Sequence, residues 1–104
     1  MRELTIVLNT MEGNPGEILE RTRDYVIRKT EGGFVYGDFR NSSMEDEAVK
    51  LTFTGLEPEA RFEIAKGSKK QVVSVKKANE AGILELKEII PLNSNMLISE
   101  VKGE

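Results

Sequence analysis

The reactive inventory of this chain is 18 carboxylates and 15 basic side chains, with no histidine and no cysteine. Without an imidazole there is no Ser-His-Asp triad and no imidazole-bound zinc or iron; without a thiol there is no disulfide, thiolate metal site or cysteine nucleophile. Paired carboxylates remain, and two of them across a cleft can hydrolyse a glycosidic bond. Eighteen acids spread over 104 residues make pairs by chance, however, and a chain this short leaves little room for a substrate cleft. The expectation is a protein without catalysis of its own.

Oxygen ligands are the next candidates. Asp38, Asn41, Glu45, Asp46 and Glu47 could bind calcium, but they lack the ordered spacing of a cation loop, and a solvated acidic turn accounts for them. Gly13-Asn14-Pro15-Gly16 could offer backbone amides to a phosphate, yet no Gly-Lys-Ser/Thr follows, so it reads as a tight turn. No cofactor or metal is expected. Asn41-Ser42-Ser43 matches the N-glycosylation pattern, which has meaning only in a secretory eukaryotic setting.

Aromatic side chains are the remaining binding chemistry. Sugar surfaces stack pyranose rings on exposed Trp or Tyr, and this chain has no Trp. Tyr25, Phe34, Tyr36 and Phe39 cluster in one stretch. Phe34 and Tyr36 are the candidate ligand-binding pair, a flat patch beside Gly37, set against the plainer alternative that all four fill the core.

Charge narrows the partners. The net charge is −3, with 7 basic and 10 acidic residues in the first 52 positions and 8 of each in the rest. That balance argues against nucleic acid and anionic membrane surfaces. Lys66, Lys69, Lys70, Lys76 and Lys77 form a local basic cluster, whose expected role is solubility and protection of a sheet edge. No stretch approaches the roughly 18 apolar residues of a membrane span, and the opening Met1–Leu8 run is too short and too soon charged for a signal peptide. The compartment stays open, extracellular or periplasmic if the chain is a piece of a longer secreted enzyme.

The elements that must carry these residues are strands. Leu4, Ile6 and Leu8 alternate with Thr5, Val7 and Asn9, which is the period-two pattern of a strand. Asn14, Pro15 and Glu17 also fit a helix start, with a cap, a first-position proline and an acid three residues later. Ile18, Leu19, Thr22, Tyr25 and Val26 allow a helix over 18–29, but the β-prone runs either side of Thr30-Glu31-Gly32-Gly33 favour a hairpin with strands at 22–29 and 34–40. Further strands fall at 49–54, around Phe62 and Ile64, and at 71–76, 83–86 and 95–101. About eight short strands with turns between them predict an all-β protein, a small antiparallel β-sandwich occupying 1–104 as a single domain.

The run Val49-Lys50-Leu51-Thr52-Phe53-Thr54-Gly55-Leu56-Glu57-Pro58-Glu59-Ala60-Arg61-Phe62-Glu63-Ile64 resembles the strand-corner-strand of fibronectin type III and related immunoglobulin-like bacterial sandwiches, whose pattern is Leu-x-Pro-x-Thr-x-Tyr. Ala60 replaces the Thr and Phe62 the Tyr, so the hydroxyl bond of a tyrosine corner is lost; burial of Phe62 under Leu56 and Pro58 is the expected substitute. The longer order through Val72–Val75, Asn79-Glu80-Ala81-Gly82 and Ile83–Leu86 looks like the C-terminal β-sandwich modules of bacterial glycoside hydrolases and polysaccharide lyases. That resemblance covers about 48–101. It implies a non-catalytic accessory module, excised from a longer chain, whose partner is the catalytic domain of the same parent chain or a polysaccharide. A carbohydrate-binding module and a free-standing structural or adhesive subunit are the alternatives.

Overall fold

Alternation of apolar and polar residues resolves into nine strands and one 3-10 turn in the computed structural model, which describes residues 1–102. The strands are β1 (Arg2–Asn9), β2 (Ile18–Arg21), β3 (Tyr25–Lys29), β4 (Val35–Asn41), β5 (Glu47–Thr54), β6 (Arg61–Lys66), β7 (Gln71–Lys77), β8 (Leu84–Ile90) and β9 (Ser94–Val101). They form a three-stranded sheet, β1-β5-β8, and a six-stranded sheet, β2-β3-β4-β9-β6-β7. Every neighbouring pair is antiparallel except β1 and β5, which run parallel from Arg2↔Glu47 to Asn9↔Thr54. The protein is therefore an all-β sandwich, though not a purely antiparallel one. Its three-and-six division also differs from the four-and-three of immunoglobulin constant domains.

Two sequence expectations change at the start of the six-stranded sheet. The strand expected at 22–29 begins only at Tyr25: Thr22 Oγ1 accepts the N–H groups of Asp24 and Tyr25 at 3.1 and 3.2 Å, which turns the chain between β2 and β3. A threonine hydroxyl competing for backbone donors is a turn device, and it converts the helix-spaced Ile18 and Leu19 into a separate strand with a register shift. Nor does a helix begin at Asn14. Pro15 and Gly16 occupy the centre of a tight turn, Gly16 at φ +84°, closed by Glu17 N–H donating to the Asn14 carbonyl at 3.1 Å. Proline followed by a positive-φ glycine is the chemistry of a type II turn. Glu17 still reaches back to the Asn14 N–H at 2.8 Å, as it would at a helix start.

One hydrophobic cluster lies between the sheets. Ile27, Val35, Phe39, Phe62, Ile64, Met96 and Ile98 face it from the large sheet, and Ile6, Val49, Leu51, Phe53, Leu84, Leu86 and Ile90 from the small one. Tyr25 and Phe39 stack with centroids 5.5 Å apart. Phe53 and Phe62 meet across the layers at 6.1 Å. Phe62 is fully buried and Leu56 packs against the core cluster that contains it, whereas Pro58 is exposed. Backbone bonds also hold the corner. Leu56 N–H donates to the Gly82 carbonyl at 3.1 Å, Glu59 N–H to Asn79 at 3.1 Å, and Ala78 N–H to the Ala60 carbonyl at 2.8 Å.

Six strands over three leave part of the larger sheet uncovered. Of the seven residues of β7, an edge strand, six are exposed and only Ser74 is half-buried. The Ser74 hydroxyl oxygen is buried without a hydrogen-bond partner among the described residues. The adjacent layer is clamped by Lys66 of β6, which donates to the Ile89 carbonyl at 2.8 Å and pairs with Glu88 at 3.0 Å.

Candidate functional site on the outer face of the large sheet

The parity of β3 and β4 decides which side chains reach solvent. Tyr25, Ile27, Val35, Gly37 and Phe39 are buried against the core, so Val26, Arg28, Tyr36 and Asp38 point to the opposite face. Gly37 serves the inner side: a Cβ there would stand 2.8 Å from the Phe39 ring, so its absence makes room for the Tyr25–Phe39 stack.

Register assembles the outer side into two rows. Ile18, Arg28 and Tyr36 lie side by side across β2, β3 and β4, and Arg21, Val26 and Asp38 form the neighbouring row. With Gly16 they line an open groove of about 480 Å³. The Arg28 guanidinium carbon stands 5.0 Å from the Tyr36 ring centroid, within the range of a cation–π contact. Among the described residues, neither Arg21 nor Arg28 has an ion-pair partner. The groove thus holds two guanidinium groups, one carboxylate, one phenol and an apolar floor.

The structure separates the two predicted aromatic residues by role. Tyr36 is half-buried and lines the groove, with Arg28 over one face of its ring. Phe34 lies before β4, its ring 3.4 Å from where a Gly32 Cβ would stand, and its backbone N–H donates to Thr30 Oγ1 at 3.1 Å. It is half-buried and does not line the groove. Arg21, Arg28 and Val26 were not singled out from sequence. The signal that could have found Arg28 is its period-two spacing with Val26 on the strand opposite Tyr36.

The other candidates are engaged elsewhere. Asn41 is buried, and its amide nitrogen donates to the carbonyls of Glu45, Ile90 and Pro91 at 2.9, 3.0 and 3.2 Å; the glycan acceptor atom is consumed in holding the β4–β5 turn. Asp46 caps the Leu92 N–H at 3.0 Å, and buried Glu47 lies 3.8 Å from Arg2. Asp38 belongs to the groove, so the five oxygen-bearing residues are not gathered at one point. Among the described residues no group of three or more His, Cys, Asp or Glu is placed to hold a metal ion, and no helix is long and apolar enough to cross a membrane.

A second cleft, of about 330 Å³, brings Lys29, Glu57 and Glu100 together. Burial, with Glu57 adding to it, pushes the Glu100 carboxyl above its usual range against the opposing pull of the Val35 N–H and Lys29. Its Oε1 accepts that N–H at 2.9 Å. Glu100 is thereby tied into the β4–β9 seam.

No family model matches the chain, and no curated protein matches it. Among solved structures it is similar to the GH39 enzyme from Xanthomonas axonopodis pv. citri, with a TM-score of 0.64 and 7% identity over 86% of this chain and 28% of that one. It is also similar to CelM2, a bifunctional glucanase-xylanase from a metagenome library, with a TM-score of 0.53 and 11% identity over 76% of this chain and 16% of that one. The fold is shared. The chain spans 28% and 16% of the lengths of these two enzymes, a small β domain's share of each.

Proposed function

We propose that the protein is a non-catalytic accessory β-sandwich module of a bacterial carbohydrate-active enzyme, packing against or supporting a catalytic domain. The observation that carries this reading is the likeness to two carbohydrate-active enzymes over a minor part of each chain. The missing histidine and cysteine agree with it. Within this reading the sandwich is an immunoglobulin- or fibronectin-like module with added strands.

The β6–β7 hairpin supplies a surface that such an arrangement needs. Val72, Val73 and Val75 are 47, 56 and 48% exposed on an edge strand, with Lys69, Lys70, Lys76 and Lys77 around them. Residues 64–79 hold five lysines and no acid, leaving 10 basic and 18 acidic residues in the rest of the chain. An apolar centre inside a charged rim is the anatomy of a protein interface, and charge complementarity asks for an acidic catalytic-domain surface.

The test is the size of the native product. An antibody raised to the module, used on extracts of the source cells, is expected to detect a polypeptide several times longer than this chain that carries glycosidase activity. A product of this chain's own size overturns the proposal.

The groove around Tyr36 favours a second reading, a carbohydrate-binding module. Affinity electrophoresis on a polysaccharide panel, wild type against Tyr36→Ala, distinguishes it: retardation lost in the variant supports binding, and no retardation on any glycan removes it.

A further inference from the structure

We propose that the groove between β2, β3 and β4 binds a carboxylate-bearing sugar, a uronate residue of an acidic polysaccharide, with Arg28 and Arg21 holding the carboxylate. The inference stands on the groove's own side chains and does not require a catalytic domain in the same chain.

The first ground is what covers Tyr36. With the Arg28 guanidinium 5.0 Å from the ring centroid, that face of the ring is occupied. A neutral pyranose seated there would have to displace a cation–π contact. An anionic sugar would not, because its carboxylate is drawn to the guanidinium itself. The ring then acts as a backing that fixes the fork of donors, and a planar guanidinium held in place matches a carboxylate through two parallel hydrogen bonds.

The second ground is the arginines' lack of partners. The chain has 18 acidic residues for 15 basic ones, yet Arg21 and Arg28 are on one face of adjacent strands with no ion pair among the described residues. They converge on a groove whose volume of about 480 Å³ lies in the range of small-ligand sites, roughly 300–1,000 Å³.

The third ground selects the ligand class. Asp38 shares the groove and repels a doubly charged phosphate or sulfate more strongly than a singly charged carboxylate. A uronate brings hydroxyl donors as well as its carboxylate, so Asp38 and the Tyr36 hydroxyl receive partners while the arginines receive theirs. Val26 and Ile18 offer an apolar floor to the C–H face of the sugar ring.

The experiment is a titration of the 15N-labelled chain, followed by amide shifts, with trigalacturonate, xylotriose and inorganic phosphate as separate probes. Trigalacturonate is expected to shift amides around Gly16–Ile18, Arg21, Val26–Arg28 and Tyr36–Asp38. Arg28→Gln and Arg21→Gln are each expected to weaken it about tenfold, the effect of losing one charge-assisted pair. Both residues are exposed, and a dispersed spectrum confirms that each variant folds. Equal shifts with phosphate, equal shifts with xylotriose, no shifts with trigalacturonate, or unchanged affinity in Arg28→Gln would each overturn the proposal. So would loss of binding in Lys76→Gln/Lys77→Gln, which places the anion on the β6–β7 hairpin. None of these outcomes bears on the size of the native product, so the two readings fail separately.

Discussion

Replacing Gly82 by alanine tests whether the backbone lacing between the corner and the 78–82 turn holds the second half of the sandwich. Gly82 has φ +74°, and a Cβ there would stand 2.2 Å from the Leu56 carbonyl oxygen and 3.1 Å from its carbon. Both obstacles are backbone, so neither can swing aside. Holding alanine in the left-handed region costs about 1–2 kcal/mol, offset by about 0.4–1 kcal/mol from the stiffer unfolded chain. Moving the turn away from the corner to relieve the clash breaks the Leu56 N–H bond to the Gly82 carbonyl, and a buried group left unpaired adds about 1–3 kcal/mol. The expected total is about 3 kcal/mol, or a fall of about 2 M in the urea midpoint at a slope near 1.3 kcal/mol per M. Gly67 provides the control. Its φ is +84°, and a Cβ there meets nothing within 4 Å. Gly67→Ala should therefore cost about 1 kcal/mol or less. Equilibrium urea unfolding of the two variants beside wild type makes the measurement. If Gly82→Ala unfolds at the same urea concentration as Gly67→Ala, the contact with Leu56 contributes nothing and the account of the corner is wrong.

Phe62→Tyr restores the residue type of a tyrosine corner, but the Phe62 side chain is fully buried, so the added hydroxyl should cost about 1–3 kcal/mol in urea unfolding; a gain in stability would show that a partner exists for it. Burial, reinforced by the hydrogen bond to Glu20, pushes the Tyr25 hydroxyl from 10.0 up to about 12. The unfolded chain therefore loses that proton first, and stability should fall as pH rises from about 10 through about 12. Tyr25→Phe should abolish that part of the slope. The Glu100 carboxyl is raised by burial, so its share of stability is present at acid pH and lost as pH rises through its folded value. Glu100→Gln should accordingly compare better with wild type at pH 7 than at pH 4, and the reverse order by urea midpoint would contradict the assignment. Val75→Thr on the open edge should change the stability of the isolated chain by no more than about 0.5 kcal/mol, whereas a larger loss would place Val75 in the core.

Local alternation made much of this fold legible. Val49, Leu51 and Phe53 face the core of β5 as their spacing requires, and the hairpin across Thr30–Gly33 joins β3 to β4. Lys76 and Lys77 lie on the edge strand β7, with Lys69 and Lys70 in the turn before it, whereas Lys66 belongs to the inner strand β6 and is engaged with Glu88. The misreadings fell where a non-local bond or a hydroxyl overrides the local pattern. Thr22 delays the strand expected at 22–29 until Tyr25, and Ile18–Arg21 forms a strand of its own before the turn. The pairing of β1 with β5 joins residues about 45 positions apart, and alternation carries no information about such partners. For the same reason the groove was only half legible: Tyr36 could be singled out, but Arg21 and Arg28 come beside it through register alone.

The last strand has a consequence for how the molecule is made. Among the described residues, β9 is the sole bridge in the large sheet between β2-β3-β4 on one side and β6-β7 on the other. During synthesis the two hairpins can close as soon as they emerge, since their partners are near in sequence, but they remain separate half-sheets until residues 94–101 arrive. Strand pairings of such long range are slow to form. While β9 is still inside the ribosome, two sticky half-sheets stand with the inner edges of β4 and β6 bare, so the nascent chain is most exposed to aggregation and proteolysis in the interval before β9 is released.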